Sequence, residues 1–371
     1  MSALPHPTEL GAFEITEPLG RGGMGEVWRG RHRSSRLPVA VKLLRPDERW
    51  VGGGAELFRR EVRATASMHH PAVVHVLDYG VVSEEAERAS AGRLGAGSPW
   101  MAMELCSGGT LQGYRGALGW PRIRPVLLTL LDALAHAHAR GFVHRDVKPA
   151  NVLIGTPLDA RPGIKLSDFG IARLDDPNPE TTEAEFAGSA PYSAPEQLVG
   201  PVHEIGPGTD LFGLGCLAWA LLTGDPPHAR ASLPALVSAR LAGRLPEFVP
   251  VDPVPDGFVH WLRRLLAPPS GDRFDCAADA AWALVRLEPT DTEEEAPLMS
   301  APSTALPGGG TLTGLLSARE DPLTVAATHT FAATRLGLGG LWRSPGASAA
   351  PSEAGADVAR HLFRVAAGLD S

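Results

Sequence analysis

Residues 144–151 read HRDVKPAN, a string in which six chemically committed positions fall within eight. A lone aspartate in such a place reads as a turn or helix-cap carboxylate. That reading leaves Lys148 and Asn151 unexplained beside Asp146, so the string is a loop built for a task. The chain on either side has to supply its scaffold.

That scaffold changes character along the sequence. Over residues 13–104 the pattern is strand-like, with short apolar or β-branched runs such as 38–44, turn signals and one helical segment at 55–68. A small sheet-rich lobe follows. Residues 83–98, with Ala, Glu, Gly and Ser, break the pattern and are expected to form an exposed hairpin loop. After Gly108 the period becomes helical. Val126, Leu127, Leu130, Leu131 and Leu134 form one apolar stripe in a segment that begins after Pro121 and stops at Gly141, a long core helix. Residues 211–222 are apolar on all sides, which marks a helix buried within a lobe. The expected fold class is α+β, with a β-rich N-lobe at 13–106 and a larger, mainly helical C-lobe at 107–287. Residues 1–12 form an extension.

Four further features extend the chemistry of the loop. GRGGMGEV places Gly20, Gly22 and Gly25 between strand residues, so backbone amides can approach phosphate oxygens; alone it is as well read as an ordinary turn. Lys42, in the strand VAVK, can meet the phosphates of a nucleotide, and Glu61 can pair with it, although Arg59 and Arg60 are rival partners for Glu61. In HRDVKPAN, Asp146 would orient a substrate hydroxyl, Lys148 would neutralise a transferring phosphoryl group and Asn151 would hold magnesium. Asp168, in the Asp-Phe-Gly that follows a strand at 164–167, is the second metal ligand. Two structural pairings complete the set. Glu196 of Ala-Pro-Glu has a buried partner in Arg273, and Asp210 is a cap or a fixer of the loop backbone.

In this order and spacing the motifs resemble the protein kinase superfamily, and more closely the bacterial eukaryotic-like Ser/Thr protein kinases, over residues 13–287. The resemblance implies the two-lobed kinase fold and a nucleotide, ATP with Mg2+, between the lobes. It implies Glu104 and Cys106 on a hinge that offers backbone groups to adenine, Met103 as gatekeeper, and Leu19, Val27 and Ala40 against the base. Lys148 after Asp146 and Ser189 before the Ala-Pro-Glu resemble the Ser/Thr class, although threonine usually stands at that position. Because Arg145 precedes Asp146, the resemblance also suggests control by phosphorylation at Thr181 and Thr182, which Glu180, Glu183 and Glu185 would oppose. The implied partners are protein substrates bearing Ser or Thr. A pseudokinase scaffold would be signalled by loss of Lys42, Asp146, Asn151 or Asp168, and none is lost; a small-molecule phosphotransferase usually lacks the Ala-Pro-Glu segment.

Composition bounds the rest. With 371 residues there is room for two or three folded units, and a formal charge of −8 argues against broad nucleic-acid or anionic-membrane binding. The apolar stretch 211–223 falls far short of the roughly 20 residues of a membrane span. Three widely spaced cysteines, Cys106, Cys216 and Cys276, fit neither a disulfide framework nor a zinc set, and with an N-terminus unlike a signal peptide they point to the cytoplasm. The 34 prolines and 42 glycines hint at an irregular portion. Residues 288–371, rich in Pro, Ser, Thr, Ala and Gly, are expected to be mostly disordered. Within them 357–369 shows one apolar helical face, equally read as a docking helix or a tail with no role. Thr311, Thr313, Thr328 and Thr330 are candidate autophosphorylation sites for a phosphothreonine-reading partner, against an inert linker as the plainer reading.

Overall fold

The structure, a computed structural model, describes residues 6–22, 25–44, 62, 65–169 and 189–287. Glu61, Gly170, Thr181, Thr182 and the tail 288–371 with its segment 357–369 lie outside these residues. Of the helix expected at 55–68, Val62, Thr65 and Ala66 are described and are helical.

Period-two alternation organises the first lobe. The strands β1 (Thr8–Leu10), β2 (Phe13–Gly22), β3 (Gly25–His32), β4 (Pro38–Leu44), β5 (Val76–Val81) and β6 (Pro99–Glu104) form an antiparallel sheet in the order β1-β2-β3-β4-β6-β5. Along β4, Val39, Val41 and Leu43 point to one face and Ala40, Lys42 and Leu44 to the other. The first set packs with Phe13, Ile15, Trp28 and Trp100; Ala40 and Leu44 pack with Val62, Met101 and Met103. Lys42 therefore leaves the sheet on the inner face, toward the second lobe.

Residues 83–98 join the antiparallel strands β5 and β6 and are mostly exposed, as expected, but they are not all loop: they contain the helix α1 (Glu84–Ala89), and Ala86 and Leu94 pack into the Trp28 cluster. Ser83 Oγ accepts from the Ala86 amide at 3.1 Å, an N-cap, and buried Ser90 donates to the Glu87 carbonyl at 2.8 Å. Small residues let the segment lie close on the sheet while Glu84 and Glu85 face solvent.

The second lobe comprises α2 (Trp120–His138), α3 (Pro195–Val199), α4 (Pro207–Thr223), α5 (Leu233–Leu241), α6 (Phe258–Leu265) and α7 (Ala277–Val285). The stripe of α2 is buried at every expected position, each such side chain contributing about 1.5–3 kcal/mol. Helix α4 is buried continuously over residues 209–222. An aromatic group of Trp120, Phe258 and Trp261 closes the far end, where Trp261 Nε1 donates to the Ala280 carbonyl at 2.9 Å. Among the described residues no helix is long and apolar enough to cross a membrane.

Between the lobes lies the hairpin β7 (Val152–Gly155)–β8 (Gly163–Leu166). Leu166 donates to the Ala72 carbonyl at 2.8 Å and accepts from the Val74 amide at 3.0 Å, which ties the approach to β5 onto β8. Gly108 donates to the Ile154 carbonyl at 2.9 Å and Ile154 to that of Gly109 at 3.0 Å, which ties the exit from β6 onto β7.

Candidate active site

The inner face of β4 and the end of β8 meet at one ion pair. Lys42 Nζ lies 2.6 Å from Asp168 Oδ1, with the lysine side chain 8% exposed and the aspartate 27%. Asp168 has φ +61°, a left-handed conformation that aspartate tolerates better than bulkier residues. Phe169 is buried against the His144 ring at a centroid distance of 4.5 Å.

The loop after α2 is held from beneath. Asp210, in the first turn of α4, accepts from His138 Nε2 at 2.7 Å, from the His144 amide at 2.8 Å and from the Arg145 amide at 2.7 Å. Since the N-cap of α4 is Gly206, Asp210 acts as the fixer of the loop and not as a cap. Arg145, at φ +66°, is the turning point that these bonds hold in place. His144 is fully buried: Nε2 lies 2.8 Å from the Ser167 carbonyl, which only accepts, so Nδ1 is left to accept from the Asp146 amide at 3.2 Å. One neutral tautomer thus joins the loop to the residue before Asp168.

The side chains expected to act together are brought together. Lys148 Nζ lies 2.7 Å from Asp146 Oδ2 and donates to Ser189 Oγ at 2.6 Å. Asn151 Nδ2 donates to both the carbonyl and Oδ2 of Asp146, each at 2.8 Å. The loop is braced from the other side by Gln197, whose Nε2 donates to the Arg145 carbonyl at 2.7 Å. Next to Gln197, Glu196 forms the expected pair with Arg273 through two bonds of 2.7 and 2.9 Å. Burial opposes ionisation of Glu196, but the hydrogen bonds and charge of Arg273 outweigh it and hold the carboxyl below its ordinary value.

The glycines of the β2–β3 turn divide by role. A Cβ on Gly25 would drive into the Leu43 carbonyl oxygen, so the sheet itself requires that glycine; Gly20 opens onto free space. Leu19 is 42% exposed on the same strand, whereas Ala40 and Met103 are buried and Val27 is half-buried. At the hinge, the Glu104 amide donates to the His75 carbonyl at 3.0 Å, and the Cys106 amide has no acceptor among the described residues. Burial, with Glu104 adding to it, pushes the Cys106 thiol up to about 12.

Sequence reasoning missed the bracing residues. His144 within the loop, Ser167 and Gln197 bonded to it, and His138 behind it on Asp210 brace the site through polar atoms that no spacing rule marks. Asp159 and Arg161 were also missed. Asp159 Oδ2 accepts from the Ser107 amide at 2.9 Å, and Arg161 Nη1 lies 2.7 Å from Glu104 Oε1.

A two-lobed body whose cleft gathers a strand lysine, a loop Asp-Lys-Asn set and a post-strand aspartate defines the kinase class. The chain belongs to the protein kinase domain family, whose model matches residues 13–248. It is 34% identical over 316 residues to the serine/threonine-protein kinase PknF of Mycobacterium tuberculosis, a match covering 80% of this chain and 62% of that one. With PknB of the same organism it shares 35% over 335 residues, 84% of this chain and 48% of the relative. The chain thus spans about half to three-fifths of the length of these relatives. A crystal structure of the M. tuberculosis PknI kinase domain, in a singly substituted form, superposes with a TM-score of 0.52 at 27% identity, covering 76% of this chain and 98% of that one.

Proposed function

We propose that the chain is a protein-serine/threonine kinase that transfers the terminal phosphoryl group of ATP to Ser or Thr hydroxyls of proteins, itself included, with a catalytic domain spanning 13–287. The observation that carries this reading is the convergence of Lys42, Asp146, Lys148, Asn151 and Asp168 on one cleft, with each charge already paired. Leu19, Val27, Ala40 and Met103 would enclose the adenine, whose edge would meet the Cys106 amide and the backbone of Glu104. Lys42 would hold the phosphates, and Gly20 and Gly22 would let the backbone approach them.

The oxygen donors fit a hard cation. Asn151 spends its amide nitrogen on Asp146, so its carbonyl oxygen is left over, and Asp168 has a second carboxylate oxygen beyond the one on Lys42. Among the described residues no group of three or more His, Cys, Asp or Glu side chains could hold a metal. Mg2+ does not need one, since it is commonly held by one or two carboxylates plus phosphate oxygens. Asn151 and Asp168 would hold it, and its charge would neutralise the phosphates. Asp146 would accept a hydrogen bond from the acceptor hydroxyl and take its proton as the new P–O bond forms and ADP leaves. Lys148 would stabilise the moving charge, and Ser189, 2.6 Å from its Nζ, would steady it with the hydroxyl that threonine usually supplies.

The test is transfer of radiolabel from ATP with Mg2+ to a generic protein acceptor, with sites mapped by mass spectrometry. Asp146→Asn should reduce labelling by about 100-fold or more. Equal labelling by wild type and variant would reject the mechanism. Absence of labelling by both, with nucleotide still bound, would favour a scaffold.

A further inference from the structure

We propose that Asp159 and Arg161, in the turn of the β7–β8 hairpin, are positioning residues that set the direction of the adenine-binding hinge. The inference rests on the nucleotide-binding reading above and extends it to residues outside the kinase motifs.

Residues 104–107 are clamped at both ends by this one turn. At the first end, Glu104 Oε1 accepts from Arg161 Nη1 at 2.7 Å and from the His75 amide at 2.8 Å, while Arg161 Nη2 donates to the His70 carbonyl at 2.8 Å. At the other end, Asp159 Oδ2 gathers four donors: the Ser107 amide at 2.9 Å, Ser107 Oγ at 3.0 Å, the Thr156 amide at 2.6 Å and Thr156 Oγ1 at 3.1 Å. The two hydroxyls also touch each other at 2.8 Å. Only Leu105 and Cys106 lie between the clamps, and the Cys106 amide is the hinge donor with no acceptor among the described residues.

Core packing does not explain this turn. Leu158 at its tip is 96% exposed, and Asp159 and Arg161 are only half-buried, so polar bonds hold the turn: those of Asp159 to Thr156 within it, and those of Asp159 and Arg161 to Ser107 and Glu104 of the hinge. A hydrogen bond weakens steeply as its angle falls toward 120°, so a donor whose flanks are fixed recognises a planar base edge better than one free to rotate. Fixing the hinge therefore acts on nucleotide affinity and leaves the phosphoryl-transfer groups untouched.

The experiment is steady-state kinetics on the full chain, wild type against Asp159→Ala and Arg161→Ala, with a generic protein acceptor and a parallel MgADP titration. Asp159→Ala should raise the KM for ATP and the Kd for ADP by about tenfold, the equivalent of one charge-assisted hydrogen bond. The kcat should stay within about twofold and the KM for acceptor should not change. Asp159→Asn, which keeps one acceptor oxygen, should bring the rise down to about threefold. If Asp159→Ala does not fold, Asp159→Asn and Ser107→Ala carry the test, each with a rise of about threefold. A drop in kcat and melting temperature at constant KM would assign the turn a structural role only and overturn the proposal. Wild type that binds no MgADP would overturn both this inference and the kinase reading; wild type that binds it, with unchanged variants, would overturn this inference alone.

Discussion

Arg273→Ala tests whether the body beneath the active loop depends on one buried charge. All five N–H donors of Arg273 are used: Nε on the Ala267 carbonyl at 2.8 Å, Nη1 on Glu196 and on the Gly208 carbonyl at 2.7 and 2.8 Å, and Nη2 on Glu196 and on the Pro268 carbonyl, each at 2.9 Å. The guanidinium also sits 4.9 Å from the centre of the Phe212 ring. Removing it leaves the Glu196 carboxylate buried with Thr209 Oγ1, at 2.8 Å, as its remaining side-chain donor. Stranding one member of a buried pair costs about 3–5 kcal/mol, and water entering the vacated space can serve the three carbonyls, so a loss of about 4 kcal/mol is expected. At roughly 2–4 °C per kcal/mol for a domain of this size, the melting temperature should fall by about 10 °C.

The effect of pH on that loss has a definite sign. The Glu196 carboxyl is held below the ordinary 4.5. Its contribution is therefore fully present above that value and is lost as pH falls through the lower folded-state value. In Arg273→Ala the unpaired carboxyl prefers its proton, so the gap between wild type and variant should be widest near neutral pH and narrow as the pH falls into the carboxylate range. Thermal melts followed by circular dichroism from pH 4 to pH 8 measure both quantities. A neutral-pH difference under about 3 °C, or a gap that does not change with pH, would refute the reasoning.

Other substitutions separate chemistry from scaffold. Lys42→Met should abolish phosphoryl transfer by about 100-fold or more while the protein stays folded, as read by labelled-ATP transfer beside a melt. Asp210→Asn offers one acceptor oxygen to three donors and should lower kcat by about 10–100-fold with a smaller change in the KM for ATP, since it loosens the loop and not the cleft. Gly25→Ala should cost about 1–3 kcal/mol by forcing the Leu43 carbonyl aside, whereas Gly20→Ala should leave the melting temperature unchanged. With its thiol pushed up to about 12, Cys106 should resist iodoacetamide at pH 8 in the folded protein and react once unfolded, which peptide mass mapping would show.

How far the sequence could be read depended on where each partner lay. Lys42 was legible because alternation in VAVK fixes its face, and Asp146, Lys148 and Asn151 because they share a few residues of chain. Glu196 and Arg273 were legible as a pair from the Ala-Pro-Glu and SGDRF strings that carry them. In residues 83–98 the exposed connection was legible and the short helix was not, because Ser and Gly read as turn formers and the packing of Ala86 and Leu94 depends on Trp28, far away in sequence. The hinge clamps escaped for the same reason of distance. Asp159 in TPLDARPG looks like any turn carboxylate, and its partner Ser107 is 52 positions earlier; Arg161 meets Glu104 across 57.

The β7–β8 hairpin also has a mechanical meaning. The first lobe is bolted to it at two places, through residues 72–74 at the approach to β5 and through 104–109 at the exit from β6. A plate held at two points swings about the line that joins them and resists yaw and roll. Displacement would then grow with distance from that axle, so strands β1, β2 and β3, beyond β4 in the sheet, would travel further than β5 and β6 beside it. On the kinase reading proposed above, a cleft mounted in this way would loosen its hold on phosphates before its hold on the base.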